Sequence, residues 1–239
     1  MSKRGDAKSL ALDVYQRIRQ GIFDGHITPG TRLQPSVLGK EYSASTTVVR
    51  EALILLSGDR LAVSQIGIGF SVPELDRKEL RDLTLLRCHN ETLALRLAIE
   101  RGGVDWETEV LSAHHRLSRT RRRTPEDELH GNPDWFHAHR AFHAKLIEGC
   151  DIPALTDICD KLAAATEIYR VSSGPVTTSS ARDVEKEHAD LLEAVLDRDA
   201  PRAEALLRQH YQATVDNLLA HWPSDTEASL TPSTETTDL

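Results

Sequence analysis

Residues 31–57, TRLQPSVLGKEYSASTTVVREALILLS, constrain the fold of this chain more than any other stretch, because two short helical patterns flank a small-residue turn. The second pattern opens with hydroxyl side chains and an arginine and continues into leucines. These residues are Ser45, Thr46, Thr47 and Arg50, followed by Leu53, Leu55 and Leu56. Such a helix has one end available to a ligand and a rear face that packs on a core. An alternating stretch, AVSQIGIGFSV, follows at once and predicts a β-hairpin.

A helix-turn-helix followed by a hairpin is the arrangement of a winged DNA-binding module. Residues near the N-terminus of the second helix meet base edges there, beside N–H groups that favour phosphate. Arg50 is long enough to reach guanine or phosphate, and Gly67 and Gly69 allow the wing tip to approach a backbone closely. The predicted DNA-binding residues are Arg32, Ser45, Thr46, Thr47, Arg50, Gly67 and Gly69. Taken alone, the pattern also fits a small helical subdomain with a solvated Arg50.

The rest of the chain is predicted to be helical, since apolar positions recur at helical spacing from residue 76 onward without a further strand pattern. Asn132 followed by Pro133 is a helix start signal. The predicted helices lie near 9–24, 35–42, 46–58, 76–101, 105–122, 133–149, 151–172, 179–198 and 201–221, after a polar arm at 1–8. The fold class is therefore mainly α: an N-terminal winged helix-turn-helix (1–74), a C-terminal all-helical bundle (75–222) and a disordered Ser/Thr-rich tail (223–239).

Charge is unevenly distributed along the chain. The net charge is −8, but residues 1–75 carry nine Lys/Arg and seven Asp/Glu, a net of +2, and the remainder carries −10. A mildly basic part joined to an acidic part is typical of a DNA-binding domain with a separate sensor domain.

Cysteine usage and hydropathy predict a cytoplasmic protein with no membrane partner. Cys88, Cys150 and Cys159 have no paired spacing, which favours reduced thiols. No apolar run approaches the roughly 20 residues that a membrane span needs, and the N-terminus MSKRGDAKSL lacks the apolar core of a signal peptide.

Four of the eleven histidines have the spacing or the setting of metal ligands. His139 and His143 stand at i and i+4 on a predicted helix and so share a face. His188 and His210 each lie in the middle of a later helix among apolar neighbours, so each is predicted to point inward. Inward imidazoles are costly unless they are satisfied, and a divalent metal would satisfy them. The alternative is a set of core histidines hydrogen-bonded to carboxylates such as Glu185, Glu187 or Asp190.

Residues 9–73 resemble the winged helix of the GntR family of bacterial regulators. The matching segments are IFDGHITPGTRL (22–33), STTVVREAL (45–53), GDRL (58–61) and GIGFSV (67–72). The resemblance implies DNA binding. The family usually has S-R-T-P-V-R at residues 45–50, where this chain has Thr46 in place of an arginine, and Val37 stands at a second position that is commonly basic. With fewer arginines to contact bases, the operator of this chain is not inferred from those of its relatives.

Residues 76–221 resemble the FCD ligand-binding domain, an all-helical bundle found in one GntR branch. The matching segments are RAFHAKLIEGCDIPAL (140–155), EHADLLEAVLDRD (187–199) and ALLRQH (205–210). Metal-binding members use Asp or Asn, then a histidine four residues later, then two further histidines. The resemblance implies that His143, His188 and His210 bind a divalent transition metal, with His139 at the position where Asp or Asn is usual. A nitrogen-rich ligand set favours zinc or nickel.

The resemblance also implies a small effector. Arg87 and Glu91 match an R...E pair of the family, in which the arginine faces the cavity of the bundle and binds a ligand carboxylate through paired hydrogen bonds. The expected effector is a small organic acid or a sugar acid. The alternative for Arg87 is a surface ion pair with Glu91 at i, i+4.

Together these features predict a transcription regulator. It is expected to act as a repressor that binds a double-stranded operator as a homodimer and responds to a small carboxylate. A metal-dependent hydrolase is the competing class, but no HExxH motif is present and the residue after His139 is Arg140. A third interpretation is a metal-responsive regulator, in which the ion itself is the signal.

Overall fold

The computed structural model describes residues 2–123, 131–172 and 182–222, with side chains from residue 9 onward. Two parts follow one another along the chain. The head comprises α1 Ser2–Phe23, α2 Pro35–Glu41, α3 Thr46–Gly58, β1 Val63–Gln65 and β2 Gly69–Ser71. The bundle comprises α4 Arg77–Arg101, α5 Val104–Arg119, α6 Pro133–Glu148, α7 Pro153–Ser172, α8 Val184–Leu196 and α9 Ala200–Ala220. The predicted fold class is confirmed, and the predicted disordered tail at 223–239 lies outside the described residues.

The head is stabilised by the apolar faces of its three helices. Ser45 caps α3, because its hydroxyl accepts a hydrogen bond from the Val48 amide at 3.3 Å. The buried core includes Val14, Ile18, Ile22, Phe23, Leu33, Val49, Leu53 and Leu56. Leu55, which the pattern placed at the rear of α3, is instead 42% exposed. It lies two residues from Leu53 and therefore on the opposite side of the helix.

Two predicted helix starts were wrong by several residues, and the helix predicted over 105–122 ends at Arg119. α1 begins at Ser2 rather than at residue 9, so the polar arm is helical from Ser2. Lysine, arginine and alanine are favourable helix formers, and no proline interrupts them. The helix predicted over 179–198 spans Val184–Leu196, because the side chain of Asp183 accepts from the Lys186 amide and caps its start. Residues 179–181 lie outside the described ranges.

The wing is a short antiparallel hairpin, in which Gln65 lies opposite Gly69. At the tip, Gly67 and Gly69 have φ angles of 78° and 106°, which residues other than glycine rarely adopt. Arg32 forms an isolated bridge with Ser71, and its Nη2 donates to the Ile68 carbonyl at 3.3 Å. Arg32 therefore supports the wing from the neighbouring segment.

The bundle is arranged around α4, which packs against α9, α7 and α6, while α5 packs against α6 and α8. Side chains cap the starts of four of these helices: Asp76 for α4, Asn132 for α6, Asp183 for α8 and Asp199 for α9. The start signal at Asn132 and Pro133 is thus confirmed. Trp106, Phe142 and Leu146 are buried in the core, and the Trp106 Nε1 donates to the Lys145 carbonyl at 2.8 Å.

The head contacts the bundle through α1. Ala164 and Ile168 of α7 belong to the same buried cluster as the core of the head. Gln20 Nε2 of α1 lies 2.6 Å from His137 Nε2 of α6, and Asp24 Oδ1 lies 3.4 Å from the same ring nitrogen. Because the two parts share buried surface, a displacement of α6 or α7 acts on α1.

The turn between α2 and α3 leaves no room for a side chain at Gly39. A Cβ there would lie 2.8 Å from the carbonyl oxygen of Ala44, whose amide donates to the Gly39 carbonyl at 2.9 Å. Gly39→Ala is therefore expected to lower the free energy of unfolding by about 1–3 kcal/mol in urea denaturation. The control is Gly58→Ala at the end of α3, where a Cβ meets open space and the change is neutral or stabilising by up to about 1 kcal/mol. Equal stability of the two variants would contradict the tight turn.

Candidate functional site

Four histidines from three helices meet inside the bundle. His139 and His143 lie on α6, His188 on α8 and His210 on α9. All four are buried, and one potential ligand atom from each lies within 4.8 Å of the others. The structure thus brings together the four residues that the sequence singled out as metal ligands.

His143 is oriented by a chain of hydrogen bonds that begins at Glu91. The Tyr211 hydroxyl donates a short hydrogen bond to Glu91 Oε2, so its oxygen accepts from His143 Nδ1, 3.1 Å away. This arrangement puts the ring proton on Nδ1 and the lone pair on Nε2. The Nε2 atom of His143 is buried and has no hydrogen-bond partner among the described residues.

His210 is oriented in the same way by Glu187. Its Nδ1 lies 2.8 Å from Glu187 Oε2, and because a carboxylate accepts, the ring proton is on Nδ1. Arg182 donates two hydrogen bonds of 2.6 Å to that carboxylate. Although burial opposes ionisation, the hydrogen bonds from His210 and Arg182 lower the pKa of Glu187 to about 2. The core-histidine alternative expected a carboxylate such as Glu185, Glu187 or Asp190 to bond to a buried histidine. Glu187 makes such a bond with His210.

Burial keeps the four imidazole rings neutral. Desolvation is the main cause that lowers the pKa of His139 and His143 well below its usual value. It also lowers the pKa of His188 to about 2 and depresses that of His210, although Glu187 acts in the opposite direction on His210. Neutral imidazole is the form that binds a metal ion.

The cluster fits a divalent metal. His143 and His188 each bury an Nε2 atom that has no hydrogen-bond partner within the described ranges, which is costly unless a ligand engages it. Imidazole nitrogens are the donors preferred by zinc and nickel. His143, His188 and His210 would hold such an ion.

His139 has a competing partner. Arg170 Nη1 lies 2.7 Å from Nδ1 and 3.2 Å from Nε2 of its ring, and the ring centroid of Trp135 lies 4.9 Å from that of His139. A guanidinium donates and cannot accept, so Arg170 engages the lone pair that a metal would need. The role of His139 as a fourth ligand stays a prediction.

A cavity of about 50 Å³ adjoins the cluster. Its lining includes His139 and His143, four arginines (Arg19, Arg87, Arg140 and Arg170) and three carboxylates (Glu91, Asp160 and Glu167). Four guanidinium groups beside the histidine cluster are suited to an anionic ligand.

Arg87 lines this cavity, and its side chain is 14% exposed. Its Nε and Nη2 donate to Glu91 at 2.6 and 3.3 Å, its Nη1 donates to Thr166 Oγ1 at 2.8 Å, and its Cζ lies 4.2 Å from the centroid of the Tyr211 ring. Although burial alone would lower it, Glu91 and Tyr211 raise the pKa of Arg87, so the side chain stays charged. The pair with Glu91 exists, but its predicted alternative location at the surface was wrong.

Sequence reasoning missed several residues around the cluster. Tyr211 carries a weak signal, since it directly follows His210. No local pattern marks Arg19, Arg140 or Arg170 as cavity residues, because they come from three different helices that only the tertiary fold brings together.

The head exposes the predicted DNA-binding side chains of α3. Thr46, Thr47 and Arg50 are exposed on its first turns, whereas Val48 and Val49 between them are buried. This alternation leaves the polar N-terminal side of α3 accessible to a groove.

Two family models match the chain: "Bacterial regulatory proteins, gntR family" over residues 10–72 and "FCD domain" over residues 82–213. The chain belongs to the GntR family. This GntR protein is 35% identical over 210 residues to the HTH-type transcriptional regulator BphR of Paraburkholderia xenovorans (strain LB400), covering 88% of this chain and 85% of BphR. It is 30% identical over 203 residues to the HTH-type transcriptional repressor GlaR of Escherichia coli (strain K12), covering 84% of this chain and 91% of GlaR.

Solved structures share the fold of this GntR protein. E. coli McbR/YncC superposes with a TM-score of 0.72 at 20% identity, over 88% of this chain and 97% of that chain. A GntR transcriptional regulator from Rhodococcus sp. RHA1 superposes with a TM-score of 0.71 at 19% identity, over 90% of this chain and 100% of that chain. The family assignment makes the protein a DNA-binding transcriptional regulator. None of its described helices has the length and apolar character needed to cross a membrane.

The buried neutral histidines predict a pH-dependent stability of the metal-free protein. Below about pH 6.5 the unfolded chain protonates its histidines, whereas folded His188 stays neutral down to its pKa of about 2. The unfolded state then binds more protons, so the free energy of unfolding falls as the pH falls below about 6.5. His188→Gln removes a histidine that only the unfolded chain protonates in this range. The variant is therefore expected to reduce the slope of the free energy of unfolding against pH by up to about 1.4 kcal/mol per pH unit between about pH 6 and 5.

Chemical denaturation of chelator-treated protein measures this slope. His115→Gln is the matched control, because it makes the same replacement at an exposed histidine outside the cluster. A His188→Gln variant with the wild-type slope would contradict a neutral ring at His188.

Proposed function

We propose that this GntR regulator is a repressor whose operator affinity is controlled by a small organic acid or sugar acid, bound beside a metal ion at the four-histidine cluster. The observation that carries the proposal is the pair of buried Nε2 atoms of His143 and His188, which lack hydrogen-bond partners in the described structure. The cavity next to the cluster contains Arg87. A bound zinc or nickel ion supplies open coordination positions for carboxylate oxygens.

Arg87 is the residue that would bind the effector carboxylate. Its planar guanidinium matches a carboxylate with two parallel hydrogen bonds. Glu91 now takes those bonds at 2.6 and 3.3 Å and also accepts from Tyr211. An incoming carboxylate therefore competes with Glu91 for Arg87. Because Tyr211 also contacts His143, this exchange changes the surroundings of the cluster itself.

Two copies of the chain would bind a pseudo-palindromic operator as a homodimer, each inserting α3 into one half-site. Arg50 and the hydroxyl groups of Thr46 and Thr47 are the side chains proposed to meet the bases and phosphates. Arg32, Ser45, Gly67 and Gly69 are proposed to position the helix and the wing. The effector would favour one arrangement of the two heads over another.

A metal-responsive regulator is the second candidate. The burial of all four histidines favours an ion that exchanges slowly, so we assign the signal to the acid and not to the metal. A hydrolase would need a carboxylate base beside the cluster. Glu91 is engaged by Arg87 and Tyr211, and Glu187 is engaged by Arg182 and His210, so we assign no catalytic role.

The metal site makes a direct prediction. Full-length protein is expected to hold about one divalent ion per chain after gel filtration, measured by elemental analysis. His143→Gln and His188→Gln are each expected to lower the metal affinity by more than about 100-fold, because each removes a ligand. His139→Asp, which restores a residue usual in the family, is expected to retain the ion.

His115→Gln is the control for these variants, since its side chain is exposed and is not one of the four cluster histidines. A metal content that survives both His143→Gln and His188→Gln would place the ion elsewhere and contradict the proposed site.

The effector site is tested with an operator selected from random DNA. Gel-shift titrations with small carboxylic acids are expected to show release of the wild-type protein by at least one acid. Arg87→Gln is expected to bind the operator like wild type but to require at least about 10-fold more acid, since it loses a charge-assisted pair of hydrogen bonds. Arg81→Gln on the same helix is the control, because Arg81 is exposed. If the same acid concentration released the Arg87→Gln variant and the wild type from the operator, the effector role of Arg87 would be contradicted.

A further inference from the structure

The cavity beside the histidine cluster is lined by both parts of the molecule. Arg19 of α1 belongs to the head, whereas Arg140 of α6 and Arg87 of α4 belong to the bundle. α1 also packs against α3 within the core of the head. A ligand in this cavity would therefore touch the helix on which the DNA-binding helix rests.

Two arginine nitrogens in the lining of this cavity have unmet hydrogen-bonding capacity. Arg19 Nε and Arg140 Nη1 are buried, and neither has a hydrogen-bond partner in the part of the chain that the structure describes. The two side chains also share an aromatic neighbour, since Arg19 Cζ lies 4.8 Å and Arg140 Cζ lies 4.3 Å from the centroid of the Phe23 ring. Arg19 and Arg140 thus place two positive charges next to the Phe23 ring, and each has a buried N–H donor without a partner. Such an arrangement can bind an anionic group.

The carboxylates that line the cavity do not bond to these two arginine nitrogens. Glu91 is bonded to Arg87 and Tyr211, and Glu167 lies 3.0 Å from Arg170 Nη2. Asp160 is the third carboxylate in the lining. Burial raises its pKa although Arg19 acts against that shift, so its ionised form is weakened as a partner.

We propose that the effector is a compact acid with an anionic group at each end, and that Arg19 and Arg140 bind the group remote from the histidine cluster. This inference rests on the proposed function, since the near group is the carboxylate assigned there to Arg87. The cavity of about 50 Å³ has room for only a few water molecules, so the chain between the two groups is short. Small dicarboxylates are the chemical class that meets both conditions.

A doubly anionic ligand would join the head to the bundle. Its far group engages Arg19 on α1, next to Ile18, which is buried in the core of the head. The same group engages Arg140 on α6, and so the ligand fixes α1 relative to α6. A monocarboxylate reaches Arg87 without reaching Arg19, and it therefore binds more weakly and couples less to the DNA-binding helix.

Isothermal titration calorimetry on metal-loaded full-length protein tests this with matched acids: malonate against propionate, and succinate against butyrate. Wild type is expected to bind at least one dicarboxylate about 10-fold or more tighter than its matched monocarboxylate. Arg19→Gln is expected to weaken that dicarboxylate by about 10- to 100-fold and to remove the preference. Arg17→Gln removes a charge from the same helix at a half-exposed side chain and is expected to leave the preference intact.

Arg140→Gln is the second variant, because it changes the same subsite from the bundle side and leaves α1 unaltered. It is expected to remove the preference as Arg19→Gln does, with a melting temperature close to that of wild type. If wild type binds both members of each pair equally, or if both variants keep the preference, the inference is overturned. In that case a loss of all acid binding in Arg87→Gln would show that the proposed effector site still stands. Failure of wild type to bind either dicarboxylate would also overturn the inference, whereas the proposed function is contradicted only if no acid in the gel-shift titrations releases the operator.

Discussion

The burial of four imidazole rings in the interior of a helical bundle is the constraint on which the site depends. Each ring is desolvated and stays neutral, and each buried ring nitrogen needs a partner. Tyr211 and Glu187 supply partners for one nitrogen of His143 and of His210, and this orients the rings. One potential ligand atom of each of the four rings lies within 4.8 Å of those of the other rings. Buried Nε2 atoms without partners, as in His143 and His188, are stabilised when a cation engages them.

Positive charge around the same space gives the site its second property. The cavity is lined by four arginines, and the main partner of Arg87 is a carboxylate that also accepts from Tyr211. A cation at the histidines would add to this charge and would strengthen the binding of an anionic ligand. Because α1 contributes Arg19 to the lining and packs on α3, the cavity in which we propose that the effector binds lies two contacts from α3. Coupling therefore needs no long pathway through the bundle.

Local sequence patterns predicted the features that depend on neighbours along the chain. The Ser45 cap, the Asn132 cap and the shared face of His139 and His143 follow from spacing alone, and the structure has them. The early start of α1 was missed because the polar composition near the N-terminus hides good helix formers. The burial of the Arg87 pair and the arrival of Arg19 and Arg170 at the cavity depend on contacts between distant helices. Periodicity carries no information about which helices will meet, so these features had no local signal.

The most direct test of the account is X-ray absorption at the metal edge of purified full-length protein. The account predicts a first shell of nitrogen and oxygen at about 2.0–2.1 Å, with the outer-shell scattering of at least three imidazoles and no sulfur. Loss of that imidazole scattering in His188→Gln would locate the ion among the four buried rings. A shell of oxygen atoms alone, a thiolate contribution, or a spectrum unchanged by His188→Gln would contradict the central claim that the cluster is a metal site.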